Sequence, residues 1–255
     1  MWIKRNIDTI LKKEAKLRPA ILLTGVRQSG KTSLLHKTFP QAEFVSLDLP
    51  SSAEEAEYSG GEFLKKFKRP VIIDEVQYAP KLFRYLKAEI DQKRNKHGVF
   101  FLSGSQQMPL MKNVSETMAG RVSILHCMPL SIKELYVHLK RTPKRADVFN
   151  FIWQGGYPEV YSRRLDISRF FSDYTATYLE RDLRQLIQVR DLRQFQLFMR
   201  LCASRIGQLV SSNALASEAS VSVNTVQSWL AALEASGILI LLRPYYKNLG
   251  KRIVK

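Results

Sequence analysis

The segment Ala20-Ile-Leu-Leu-Thr-Gly-Val-Arg-Gln-Ser-Gly-Lys-Thr-Ser-Leu-Leu-His-Lys-Thr38 sets an apolar run, a loop with glycine at both ends and a helix-forming stretch in that order. Strand, G-x-x-x-x-G-K-[ST] loop and helix together wrap the phosphates of a nucleoside triphosphate. Glycines let the backbone turn tightly and aim successive N–H groups at an anion. The helix that follows adds the positive end of its dipole at the same point. The expected cradle is Gly25, Val26, Arg27, Gln28, Ser29, Gly30, Lys31, Thr32 and Ser33. In it Lys31 neutralises the β- and γ-phosphates and the Thr32 hydroxyl ligates Mg²⁺. Arg27 is expected to bind through its backbone N–H, with its side chain pointing away.

This four-position pattern arises by accident in about one chain in a hundred of this length, so a second signal is needed. Pro70-Val-Ile-Ile-Asp-Glu-Val76 supplies it: a short β-branched run ending in two carboxylates, as in a buried parallel strand. Its carboxyl end lies on the edge where doubly wound sheets bind ligands. Asp74 is the expected metal-supporting group and Glu75 the base that orients and deprotonates water. A third run, Gly98-Val-Phe-Phe-Leu102, ends in Ser103-Gly-Ser-Gln-Gln107. If that strand lies between the other two, Ser103, Ser105 or Gln106 can sense the γ-phosphate. Ser-Gly-Ser is equally ordinary turn chemistry.

With these motifs in place the chain resembles the AAA-type P-loop ATPases that carry a catalytic Glu after the strand Asp. More narrowly, it resembles prokaryotic two-domain ATP-binding proteins with a C-terminal domain of unknown function. The matching stretches include I-I-D-E-V-Q at 72–77, L-S-G-S-Q-Q at 102–107, E-T-M-A-G-R-V at 116–122, M-P-L-S at 128–131, G-G-Y-P-E at 155–159, T-Y-L-E-R-D-L-R-Q-L at 177–186 and L-E-A-S-G-I-L at 233–239. The resemblance implies an AAA-like core with sheet order 5-1-4-3-2, ATP hydrolysis and an arginine near the γ-phosphate. Arg121, in A-G-R-V, is the position nominated for it, in cis or on a neighbouring subunit. Its other reading is a surface arginine at the start of the strand Val122-Ser-Ile-Leu-His126. Relatives of this type continue into a domain resembling restriction-nuclease folds. The chain is expected to stop where that domain would begin, and no nuclease activity is assigned to it.

At 255 residues and 45% hydrophobic, the chain can bury a full core. No stretch of about 18 consecutive apolar residues spans a membrane, and the charged N-terminus lacks the apolar centre of a signal peptide. Cys127 and Cys202 are expected as buried free thiols, which fits a cytoplasmic protein. The histidines show no zinc spacing with them. A formal net charge of +17, divided almost evenly between residues 1–135 and 136–255, makes nucleic acid a candidate partner beside nucleotide. Homo-oligomers, dimers and monomers are all compatible with such a core.

The expected fold is α/β: a parallel sheet sandwiched by helices, then a mainly helical region with a winged-helix-like segment. Strands are expected at 20–24, 43–48, 71–74, 99–103 and 122–127, and helices at 3–16, 31–39, about 80–94 and 131–139. Residues 51–61, acidic and glycine-bearing, read as a surface connection, and 113–120 as a loop beside the site. The domains are expected at 1–140, 146–208 and 209–255, with a linker at Arg141-Thr-Pro-Lys-Arg145. Ser168–Val189 reads as one long amphipathic helix or two joined ones. Helix 212–218, turn 219–222, helix 223–234 and strand 238–242 give the winged-helix order. Asn224, Thr225, Gln227 and Ser228 form the polar face of the second helix. Without a Lys or Arg there, packing against protein is favoured over reading DNA.

Overall fold

The structure, a computed structural model, describes residues 2–104, 114, 117–163, 165–179, 192–242 and 245, with side chains omitted at 178 and 179. Five strands form one sheet: β1 (Ala20–Thr24), β2 (Glu43–Ser46), β3 (Val71–Asp74), β4 (Phe100–Ser103) and β5 (Val122–His126). The order is β2-β3-β4-β1-β5, the order the resemblance implies read from the other edge. Every pairing is parallel. The three inner strands are buried along their whole length, because helices cover both faces.

Period-two alternation divides the core. Ala20, Leu22, Ile73, Phe100 and Leu102 join one cluster, with Phe83 and Leu86 of α5 (Leu82–Gln92). Ile21, Leu23, Ile72 and Phe101 join the other, with Leu11 of α1 (Ile7–Glu14) and Leu34 and Leu35 of α2 (Lys31–Thr38). Phe39 stacks on Phe101 with ring centroids 3.7 Å apart.

Two expectations are corrected here. Residues 51–61 are not a surface connection but lie in two helices, α3 (Pro50–Tyr58) and α4 (Gly60–Lys65). Pro50 fills the first helical position, where its missing N–H costs nothing, and Ala56 is buried. Gly60 is needed for close packing: a Cβ there would meet the Tyr85 ring at 2.4 Å. The leading helix is also shorter than expected. Ile3 leaves it to pack with Leu130, Leu135 and Tyr136.

After β5 come α6 (Ile132–His138), α7 (Arg145–Gln154), α8 (Pro158–Arg163) and α9 (Ile167–Tyr174), then a π-helical turn at Thr175–Leu179. A capping box of Ser131 and Glu134 starts α6. The chain divides into two compact units, Met1–Leu186 and Ile187–Lys255. The linker expected at 141–145 therefore joins elements of one unit. Leu130 N–H donates to Gly156 O at 2.6 Å, and Phe151 and Tyr161 pack against the Ile3 cluster. Residues 113, 115 and 116 and the 180–189 part of the long amphipathic helix lie outside the described residues, and Val114 and Met118, in the stretch expected as a loop, are instead buried in the first cluster.

In the second unit, α10 (Leu192–Ser204), α11 (Ser212–Glu218) and α12 (Val223–Ala235) surround Trp229. Phe195 meets its ring edge-on at 5.1 Å and Phe198 lies at 5.2 Å. Ser211 and Ser222 cap α11 and α12 through their hydroxyls. Asn224, Gln227 and Ser228 are exposed, as the polar face requires. The strand expected at 238–242 is absent among the described residues. Ile238 and Leu239 N–H groups turn back to Leu233 O instead, after Gly237 at φ 72°.

Candidate functional site

The parallel register puts the ends of β1, β3 and β4 on one edge, with Ile73 opposite Leu102 and Leu23 opposite Ser103. The glycine loop leaves β1 at this edge. Gly25 stands at φ 143°, and a Cβ there would lie 2.2 Å from Cys127 O. Gly30, at φ 87°, is the N-cap of α2 and brings no side-chain cap. The first amides of α2 consequently remain open to a ligand.

Lys31 is buried and donates to Gly25 O and Val26 O at 3.1 and 3.0 Å. Burial pushes its pKa down, against the charge of Glu75 and Asp74. Thr32 Oγ1 donates to Asp74 Oδ2 at 2.9 Å. The Ser103 hydroxyl donates to the other carboxylate oxygen, Asp74 Oδ1. One carboxylate thus ties the tips of β3 and β4 to the start of α2.

Glu75 follows at φ 56°, a left-handed conformation unusual for a residue with a Cβ. Burial raises its carboxyl pKa, the Gln77 amide that donates to it opposes that rise, and neighbouring Asp74 adds to it. Glu75, Lys31, Thr32 and Gln28 line a cavity of about 640 Å³, together with Trp2, Leu130 and Pro158 among others. Its size is that of a small-molecule site.

The donor set suits a magnesium nucleotide. Thr32 and Asp74 offer the hard oxygens Mg²⁺ takes. The buried Ser29 hydroxyl finds no protein partner among the described residues. Lys31 has only neutral carbonyls to exchange for phosphate oxygens.

Three nominated positions are not brought to this edge or to view. Ser105 and Gln106 lie outside the described residues. Arg121 sits at the opposite edge, because it precedes β5 and β5 runs parallel to β1. Ala20 N–H donates to Arg121 O at 3.3 Å, and its guanidinium grips Asp91 through two bonds of 2.8 and 2.9 Å. It therefore does not serve the phosphate end in cis. Arg27 differs from expectation in the other direction. It lines the cavity, and its charge acts on both Lys31 and Glu75.

Sequence reasoning missed Arg5. This buried guanidinium donates to Glu134 Oε1 at 3.2 Å, to Ser29 O in the phosphate loop at 2.9 Å, and to Met128 O and Pro129 O. The only advance signal was a basic residue amid the isoleucines of the leading segment. Glu134 closes the capping box at the start of α6 and is also the partner of Arg5.

Residues 17–136 match the family described as "AAA domain". Residues 145–255 match a "Domain of unknown function (DUF8612)". Two curated relatives, the uncharacterized proteins Rv2008c of Mycobacterium tuberculosis and Mb2031c of Mycobacterium bovis, are each 27% identical over 253 residues. That alignment takes in 98% of this chain and 55% of theirs, so the chain spans about half the length of the curated relatives it matches. Among solved structures, the Walker-type ATPase paby2304 of Pyrococcus abyssi is similar with a TM-score of 0.54 at 14% identity, covering 92% of this chain and 90% of that one. That likeness is one of fold. It agrees with the five-stranded parallel sheet and the mainly helical region that follows. No helix among the described residues is long and apolar enough to cross a membrane.

Proposed function

We propose that this chain binds ATP with Mg²⁺, hydrolyses it to ADP and phosphate, and couples the cycle to movement of the helical region after residue 146. The observation that carries this reading is Asp74 held between Thr32 and Ser103 at the mouth of the phosphate loop. The triphosphate lies on the loop amides from Gly25 to Ser33, and Lys31 exchanges its two carbonyl partners for phosphate oxygens. Thr32 and Asp74 hold Mg²⁺, which when bound neutralises charge on the β- and γ-phosphates. Glu75 takes the proton of the attacking water. Ser103 keeps the Asp74 carboxylate aimed at the metal and is placed to sense the γ-phosphate.

Phosphate release by the wild type, Lys31→Ala and Glu75→Gln tests the reading. Lys31→Ala should lose nucleotide binding, whereas Glu75→Gln should bind and not turn over. Equal hydrolysis by wild type and Glu75→Gln would remove Glu75 as the base.

One observation favours a second reading, a nucleotide-gated regulator with little hydrolysis. Pro158 and Glu159 line the cavity, so occupancy alone can shift the segment that Gly156 ties to Leu130. In that case the basic second half docks DNA or a protein. ATP-dependent, salt-sensitive DNA binding without phosphate release would decide for it. Both readings take the protein as cytoplasmic and allow a homo-oligomer.

A further inference from the structure

We propose that Arg5 is a positioning residue for nucleotide binding: its guanidinium holds the Ser29 carbonyl outward and so turns the Gly30 N–H toward the phosphates. This rests on the reading above only in that a nucleotide lies on the loop amides. A loop that aims its N–H groups at an anion must send carbonyls the other way. Ser29 is fully buried, so its carbonyl needs a partner within the protein. Arg5 Nη1 donates to Ser29 O at 2.9 Å, and the Cys127 thiol adds a long contact at 3.7 Å. Across a planar trans peptide the C=O and the following N–H point in opposite directions. Fixing Ser29 O therefore fixes the direction of the Gly30 N–H.

The loop does not hold this peptide by itself. Gly30 stands at φ 87° and brings no side-chain cap to α2, and glycine is the residue whose backbone is least restrained. Gln28, two positions earlier, sits at φ 57°, a conformation that persists only where the surroundings impose it. The buried Ser29 hydroxyl makes no hydrogen bond among the described residues. The restraint comes from outside the loop, from a residue 24 positions before Ser29.

Arg5 is itself immobilised. It is buried, its Nε donates to Glu134 Oε1 at 3.2 Å, and its Nη2 donates to Met128 O and Pro129 O just beyond β5. Glu134 accepts in turn from the N–H groups of Asn6 and Ser131 at 2.6 and 2.8 Å. The rigid fork of a guanidinium meets a carboxylate and several carbonyls at once, which the ammonium of a lysine cannot. The loop is thus ordered before nucleotide arrives, and binding does not have to order it. ADP and ATP rest on the same amides, so Arg5 favours both alike and leaves the chemical step unaltered.

The experiment compares wild type, Glu134→Gln, Arg5→Lys and the double variant Arg5→Met with Glu134→Gln. It measures melting temperature, affinity for ADP and for ATP with Mg²⁺, and turnover at saturating ATP. Glu134→Gln removes the ion pair but leaves Arg5 on Ser29 O, so it should melt lower and bind both nucleotides close to wild type. The double variant strands no charge and differs from Glu134→Gln only at Arg5. Its affinity for both nucleotides should be about tenfold weaker, the size of one charge-assisted hydrogen bond, with saturated turnover little changed. Arg5→Lys keeps a charge opposite Glu134, and it should melt close to wild type yet bind as weakly as the double variant. Affinity that follows melting temperature across the variants overturns the assignment, because it marks a merely structural role. Equal affinity in Glu134→Gln and the double variant overturns it too, as does a fall in turnover without loss of affinity. The affinities decide whether or not the wild type hydrolyses ATP. A wild type that binds neither nucleotide overturns the binding reading, and this proposal with it.

Discussion

Thr32 and Asp74, 42 positions apart in the chain, are joined by a 2.9 Å hydrogen bond from Thr32 Oγ1 to Asp74 Oδ2. The two oxygens are the groups a hard divalent cation would take at a phosphate loop. In the wild type, chelating Mg²⁺ should weaken ATP binding strongly. In Asp74→Ala or Thr32→Ala, binding should already be weak and should respond little to the chelator. Titration of a fluorescent ATP analogue with and without EDTA measures both. An Asp74→Ala variant with the full magnesium response would remove Asp74 from the metal site.

Gly25→Ala should damage the loop at its root. Its Cβ would sit 2.2 Å from Cys127 O, at a φ that side chains rarely adopt. Gly120→Ala is the comparison: it also stands at positive φ but nothing lies within 4 Å of its Cβ. Gly120→Ala should cost about 1–2 kcal/mol from backbone strain alone. Gly25→Ala should melt lower than that and lose ATP binding. Thermal unfolding of the two variants with and without ATP makes the comparison.

Glu134 and Arg5 form a buried ion pair that also holds Ser29 O of the phosphate loop. Burial alone would raise the Glu134 pKa. The N–H groups of Ser131 and Asn6 and the charge of Arg5 outweigh it and hold the carboxyl below its usual value. A depressed folded pKa contributes stability that is full above the unfolded value, about 4.3. That stability is lost as pH falls through the lower folded pKa. Wild-type stability should decline over that acid range, and Glu134→Gln should be less stable near neutrality but flatter in acid. Glu134→Ala, which strands the Arg5 guanidinium, should cost about 3 kcal/mol or more. Urea unfolding between pH 3 and 7 gives the sign.

Arg121→Ala should leave ATP turnover close to wild type, because its guanidinium is engaged by Asp91 at the sheet edge remote from Lys31. Steady-state phosphate release is the measurement. A large fall in turnover at unchanged melting temperature would show that Arg121 reaches a neighbouring subunit's nucleotide.

The inner strands were legible because a strand buried on both faces must be largely apolar, and β1, β3 and β4 are apolar up to their last residue. Asp74 was legible because strand direction dictates which end of Val71–Asp74 faces the loop. The same argument applied to Arg121 would have placed it on the far edge, since it precedes its strand. Gly60 misled for a different reason: a glycine in a polar stretch reads as a turn, whereas this one makes room for Tyr85. Arg5 and Glu134 were hidden because their partners are 129 positions apart, and no local pattern reports such a pairing. The apolar run from Ile238 to Leu242 reads as a strand by composition, yet a strand needs a ladder partner, and none is found among the described residues.

Strand β1 sits between β4 and β5, so both its neighbours are translated long after it. A growing chain on the ribosome that has released only β1, β2 and β3 holds the glycine loop without the strand that seats it. Lys31 and Asp74 can be brought into register only once Phe100–Ser103 has emerged and slipped between their strands. Capacity to hold nucleotide should therefore appear late in synthesis and abruptly, rather than grow with chain length.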